Sequence, residues 1–168
     1  MVEEAPALAD PRLNGATYEV VRHGPVGSLQ EAAKERCLPE SAVIKTMVIR
    51  VSDEEYVFVL VPGDRVIDWA KLRQTLGVSR ISLPDEASAL AVTGYARGAI
   101  TPFGATRDLA AIADTRLAGR TVSIGGGARG VSLTMSGDDA IRLLGAKLAD
   151  VTKPGRPPNP VKHGTGRQ

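Results

Sequence analysis

Apolar positions fall in short stretches along this chain, and their spacing changes between the period of a strand and that of a helix. Residues 42–51 read Ala-Val-Ile-Lys-Thr-Met-Val-Ile-Arg-Val, which is β-branched and strand-like. Asp53-Glu54-Glu55 supplies a turn. Residues 56–61 are apolar on both faces, as expected for a strand inside a sheet. The two stretches predict a hairpin. Further strands are expected at 18–22, 81–83, 110–113, 121–124 and 131–135, with a last one within 146–151. Ser28-Leu29-Gln30-Glu31 has the form of a capping box and predicts a helix over 29–37, which Pro39 limits. Helices are also expected from about Asp68 to Leu76, over 86–92, and from Ser136 to about Leu144. Short strands with helices between them predict a mixed α/β fold, in either a mixed sheet or a partly closed, barrel-like sheet.

Residues 1–15 read as a lead-in, 16–151 as one domain and 152–168 as a flexible tail. The tail holds four prolines, three glycines and no apolar pattern. A length of 168 residues fits one domain and suffices for a core without staples. The longest apolar run is far below the ~20 residues of a membrane span. Two histidines and one cysteine fall short of the roughly four ligands of a zinc site, so no metal and no cofactor are expected. The acidic start, without an export signal, makes a reducing cytoplasmic setting the expectation.

The net charge of +2 hides an asymmetry. Residues 151–168 contain Lys153, Arg156, Lys162 and Arg167 and no acid, which leaves 17 basic against 19 acidic residues in the rest. Such a surface does not hold DNA by bulk electrostatics. A local contact with a nucleic-acid end remains open.

Few residues then stand out for chemistry. Lys45 shares its strand face with Val43, Met47, Ile49 and Val51, all apolar. Burying an ammonium without a partner costs several kcal/mol. Either it snorkels at the strand end, or an anionic ligand, a buried acid or a pocket mouth accounts for it. Residues 94–104 hold three glycines and Pro102. They turn the chain, or they aim backbone N–H groups at an oxygen. Residues 125–130, Gly-Gly-Gly-Ala-Arg-Gly, fit G-x-G-x-x-G. The following Val-Ser-Leu-Thr-Met alternates like a strand, whereas a dinucleotide site needs a helix there. The expected role is a hairpin loop, with Arg129 either solvated or touching a phosphate. Cys37 has no base placed near it by a motif and is expected in the core. The acids Asp53, Asp64, Asp114, Asp138 and Asp139 read as turn, loop and helix-start residues.

Three of these segments together resemble a known family. They are Val43-Ile44-Lys45-Thr46, then Thr93-Gly94-Tyr95 through Gly98-Ala99-Ile100-Thr101-Pro102-Phe103-Gly104, then Gly126-Gly127-Ala128-Arg129-Gly130. The ending Gly145-Ala146-Lys147-Leu148-Ala149-Asp150 adds to them. Over about 16–151 the chain is similar to the YbaK family, related to the editing insertion domain of bacterial prolyl-tRNA synthetase. The resemblance implies hydrolysis of mischarged aminoacyl-tRNA, most often Cys- or Ala-tRNA(Pro), held by its acceptor 3′ end. It implies a catalytic role for Lys45 and a pocket lined by the loop from Gly98 through Thr101 to Pro102. Gly126, Gly127, Arg129 and Ser132 belong to the same expected substrate surface, with Val21 and Met47 as candidate walls. Where Cys-removing members carry a tyrosine this chain has Val21. Ser132 replaces an aspartate, and Ala99 a common second glycine. Prolyl-tRNA synthetase is the candidate protein partner. The alternatives are a module that binds aminoacyl-tRNA or a small ligand without cleaving it, and a regulatory partner of a synthetase that uses the basic tail.

Overall fold

The computed structural model describes residues 5–22 and 38–155, and the expected helix over 29–37, Cys37 and both histidines lie outside them. The predicted hairpin forms. Strand β2 (Ile44–Ser52) runs antiparallel to β3 (Glu55–Pro62), with Lys45 opposite Val61 and Met47 opposite Val59. Both faces of β3 are covered, as its unbroken apolar run requires. Phe58 and Leu60 turn to one side, while Val57, Val59 and Val61 turn to the other. β3 pairs in parallel with β5 (Ala110–Asp114), which pairs in parallel with β8 (Lys147–Ala149). The order β2-β3-β5-β8 leaves β2 at an edge.

A second sheet, in the order β1-β7-β6, is antiparallel throughout. It contains β1 (Tyr18–Arg22), β6 (Thr121–Gly125) and β7 (Val131–Ser136). The two sheets share a core, Ile44, Leu60 and Ala113 of one packing with Ile124, Leu133 and Met135 of the other, and a parallel bridge links Val43 to Ser123. The class is mixed α/β as expected, and among the described residues the strands are divided among three sheets, none closed into a barrel. The stretch 81–83 makes only an isolated bridge, Ser82 to Arg50.

Three helices follow the capping signals. Asp68 caps α1 (Trp69–Leu76), Asp85 caps α2 (Glu86–Thr93) and Ser136 caps α3 (Gly137–Leu144), each accepting a hydrogen bond from a first-turn N–H. Leu72 of α1 packs with Ile49, Val59, Val61 and Ile67, the core beneath the Lys45 face of β2. Among the described residues no helix is long and apolar enough to cross a membrane.

Ordered structure lies on both sides of the expected 16–151 domain. The lead-in is not peripheral: Pro6–Ala9 and Pro11–Leu13 form 3₁₀ turns, and Ala7 and Leu13 are buried with Phe103, Ile124 and Leu133. The stretch expected as tail begins with ordered residues. Thr152–Pro154 forms strand β9, antiparallel to β4 (Arg65–Ile67), an unanticipated pair. Its anchor is polar, which an apolar pattern does not register: Thr152 is buried and donates to Asp114 Oδ2 at 2.8 Å.

Candidate functional site

Beside the Val43–Ser123 bridge lies a cleft of about 1110 Å³ lined by strands of both sheets. Its floor is β2 from Val43 to Val48. One side is the β6–β7 turn, and the other is 97–100 with the start of α2. Lys45, Met47, Gly98, Gly127 and Arg129, all expected at the site, line it. Lys45 and Met47 also line a smaller hollow of about 260 Å³, bounded by Val61, Val66, Ile67, Trp69 and Lys153. The lysine therefore stands where the two hollows adjoin.

Lys45 is half-buried. Its Nζ donates to the backbone carbonyl of Arg65 at 2.6 Å. Burial pushes its pKa below the ordinary 10.5, partly opposed by Asp64 and Glu40. No carboxylate lies within ion-pair distance of it among the described residues. A carbonyl tether orients the ammonium without cancelling its charge, so the group keeps its attraction for an anion or a polarised oxygen.

The loop at 98–100 is shaped by a close approach. Gly98 has φ +90°, and a Cβ there would stand 3.2 Å from Nη2 of Arg129. The same Nη2 donates to the carbonyl of Arg97 at 3.0 Å, tying the two glycine loops together. Gly98→Ala is expected to cost about 1–2 kcal/mol of left-handed strain, since the flexible guanidinium yields but the backbone does not. Arg129→Ala, on the surface, is expected to stay within about 0.5 kcal/mol of wild type. Thermal unfolding of the two variants separates these effects. Gly127 is equally constrained: at φ +92°, an added Cβ would meet Tyr95 Cε1 at 2.9 Å and Ala7 N at 3.1 Å.

The other expected residues do not line the cleft. Thr101 and Pro102 are buried beneath the loop, and Gly126 is buried behind the β6–β7 turn. Ser132 is buried in β7, opposite Val21 of β1. Alternation accounts for part of this, since Val131 faces the cleft and its neighbour Ser132 points to the other side of the strand.

The structure adds residues that pattern reading passes over. Arg65 holds Lys45 through a backbone carbonyl, a contact that no side-chain pattern encodes. Leu83, Pro84, Asp85 and Glu86 form the far rim, with Arg97 Nη1 3.7 Å from Glu86 Oε2. Asp85 is held below the usual carboxylate range by hydrogen bonds from Ser88. Among the described residues there is no group of three metal-ligating side chains. One half-buried cation beside backbone amides can hold an ester and stabilise negative charge on its carbonyl oxygen.

Known proteins share this chain's sequence pattern and fold. Residues 23–143 match the model of the aminoacyl-tRNA editing domain. A proline–tRNA ligase of Desulforamulus reducens is 34% identical over 107 residues, covering 61% of this chain and 19% of the ligase. The prolyl-tRNA editing protein ProX of Acetoanaerobium sticklandii is 23% identical over 135 residues, covering 77% of this chain and 82% of that protein. The chain spans only 15–19% of the length of the proline–tRNA ligases it matches. A crystal structure proposed to be a trans-editing enzyme for prolyl-tRNA synthetase superposes with a TM-score of 0.81 at 22% identity. That superposition covers 91% of this chain and 99% of the other. With the matched segment spanning most of its length, this chain belongs to the aminoacyl-tRNA editing domain family.

Proposed function

We propose that this protein is an aminoacyl-tRNA deacylase that hydrolyses the ester of mischarged tRNA, with Cys- or Ala-tRNA(Pro) as substrate and prolyl-tRNA synthetase as the enzyme whose errors it removes. The observation that carries the reading is the half-buried, carbonyl-tethered ammonium of Lys45 on the floor of the cleft. The cleft volume slightly exceeds the range usual for small-molecule sites, and is ample for a terminal adenosine with its acyl group.

The substrate's own chemistry explains why so few side chains suffice. An aminoacyl ester is an activated acyl group, so the protein need not supply a nucleophile. Water adds to the carbonyl carbon, the carbonyl oxygen becomes negative, and the tetrahedral species collapses. The ester C–O bond breaks, and the ribose oxygen leaves with a proton. Lys45 stabilises the oxygen that gains charge, an interaction stronger in the transition state than in the bound ester. The backbone N–H groups of Gly98 and Ile100 hold the ester or the terminal ribose, that of Ala99 being engaged by the Ala96 carbonyl at 2.9 Å, and Arg129 holds a phosphate. Met47 limits acyl size, since a wall rejects a bulky group by clash more strongly than a pocket rejects a missing methylene.

The test is a deacylation panel on the full chain with Cys-, Ala-, Ser- and Pro-charged tRNA(Pro), and Cys-tRNA(Cys) as control. Release of Ala or Cys with Pro spared is expected. Failure to release any acyl group above the uncatalysed rate would overturn the reading.

A further inference from the structure

The segment before β1 lies ahead of the matched editing domain, which begins at residue 23, yet it reaches both loops of the cleft. Asp10, 5% exposed, is the centre of the contact. Its carboxylate accepts from the backbone N–H of Gly104 at 2.8 Å and from that of Arg12 at 2.8 Å. It also accepts Arg12 Nη2 at 2.7 Å and Nε at 3.0 Å, a two-pronged pairing. The same Nη2 donates to the carbonyl of Pro102 at 3.1 Å, and the guanidinium lies over the Phe103 ring, 5.7 Å from its centroid. Two side chains thus grip three consecutive residues, Pro102, Phe103 and Gly104. Tyr95 adds a fourth hold, its hydroxyl donating to the Phe103 carbonyl at 2.6 Å. On the other loop, Ala7 donates its N–H to the carbonyl of Gly126 at 3.0 Å.

This grip is on the buried half of the 98–104 loop, while Gly98, Ala99 and Ile100 form the half that lines the cleft. Fixing one end of so short a loop limits the directions in which the other end can aim its amides. Misplacing such groups by an ångström is enough to cost a large factor in rate. We infer that Asp10 and Arg12 are positioning residues for the deacylation, holding the 98–104 backbone in the shape that presents the N–H groups of Gly98 and Ile100 to the aminoacyl end. The inference rests on the deacylase reading above and assigns to the leading segment a part in that site.

The experiment compares Asp10→Asn, Arg12→Ala and Arg12→Lys with wild type, using the acyl-tRNA that wild type turns over fastest. It measures kcat and KM per folded molecule, together with amide hydrogen exchange at Gly104 and 98–100. Expected are a fall in kcat of about tenfold in Asp10→Asn and Arg12→Ala, KM within about twofold, and faster exchange confined to this loop. Arg12→Lys recovers part of kcat, because one ammonium replaces one prong of the fork. If Asp10→Asn does not fold, Arg12→Ala, altering a partly exposed side chain, carries the same comparison. Variants that unfold more easily but keep wild-type kcat and loop exchange would overturn the inference, leaving the segment a purely structural brace. An inactive wild type would instead overturn the deacylase reading and this inference with it, whereas an active wild type matched by all three variants overturns this inference alone.

Discussion

Lys45→Ala is expected to lower deacylation by at least about 100-fold, the scale seen when one preorganised charge-stabilising donor is removed, and to leave the fold intact. Both halves follow from the same placement. The ammonium is held at 2.6 Å by a carbonyl and has no ion-pair partner among the described residues, so its removal strands no buried carboxylate. Burial lowers its folded-state pKa below 10.5, so the unfolded chain binds this proton more tightly than the folded one. The charged lysine is therefore a burden on stability at neutral pH. In wild type that burden lifts as pH climbs from the depressed pKa toward 10.5, and the alanine variant lacks this increment. The rate should behave oppositely: activity falls on the alkaline side as Lys45 loses its proton, at a pH below that of an ordinary lysine. Lys45→Arg keeps a charge but spreads it over a planar fork, and is expected to restore little. Initial rates of deacylation from pH 6 to 10, paired with thermal unfolding of each variant, check these points. Wild-type rates in Lys45→Ala would remove the lysine from the mechanism.

Asp114→Ala is expected to cost about 3 kcal/mol of stability, toward the lower end for removing one partner of a buried pair because Arg116 is partly exposed. Asp114 is fully buried at the end of β5. It accepts from Arg116 N–H at 3.0 Å, from Arg116 Nη1 at 3.1 Å, from Val151 N–H at 3.2 Å and from Thr152 Oγ1 at 2.8 Å. Without it, the Val151 N–H and the Thr152 hydroxyl are left buried and unmatched. The damage should travel. Thr152 Oγ1 accepts Arg65 Nε at 2.7 Å, and Arg65 supplies the carbonyl that tethers Lys45. Loosening of β9 is thus expected to weaken the hold on the reactive cation as well as the fold. Asp114→Asn, which keeps one acceptor oxygen, should be milder on both counts. Denaturant unfolding with amide exchange at 152–154 measures the first effect, and residual deacylation the second. A loss under about 1 kcal/mol would mean that other contacts hold β9.

How much of this was legible depended on the range of each interaction. The β2–β3 hairpin and the caps at Asp68, Asp85 and Ser136 rest on neighbours within a few positions, and they appear where the pattern places them. Lys45 was visible as a cation on an apolar face, yet that face alone favoured snorkelling at the strand end over a pocket mouth. Met47, Gly98, Gly127 and Arg129 reached the cleft, whereas Val21, Thr101, Pro102, Gly126 and Ser132 did not. Membership of a glycine loop or a strand does not say which neighbour faces inward. The leading segment and β9 were passed over for one reason: Asp10 and Thr152 are polar residues made internal by partners 94 and 38 positions away.

What the chain determines by itself, then, is its local grammar: the succession of strands and capped helices, the loops built of glycine, and a lone lysine among aliphatic residues on one strand. The tertiary structure decided that β2 is an edge strand and that two sheets, packed on a shared core, are bridged at Val43 and Ser123. It also decided that the space between them lies beside that lysine. The physical reason is that alternation and capping are set by the geometry of adjacent peptide units. A cleft is instead the gap left by packing segments far apart in the chain, held here by backbone carbonyls whose chemistry is the same in every residue.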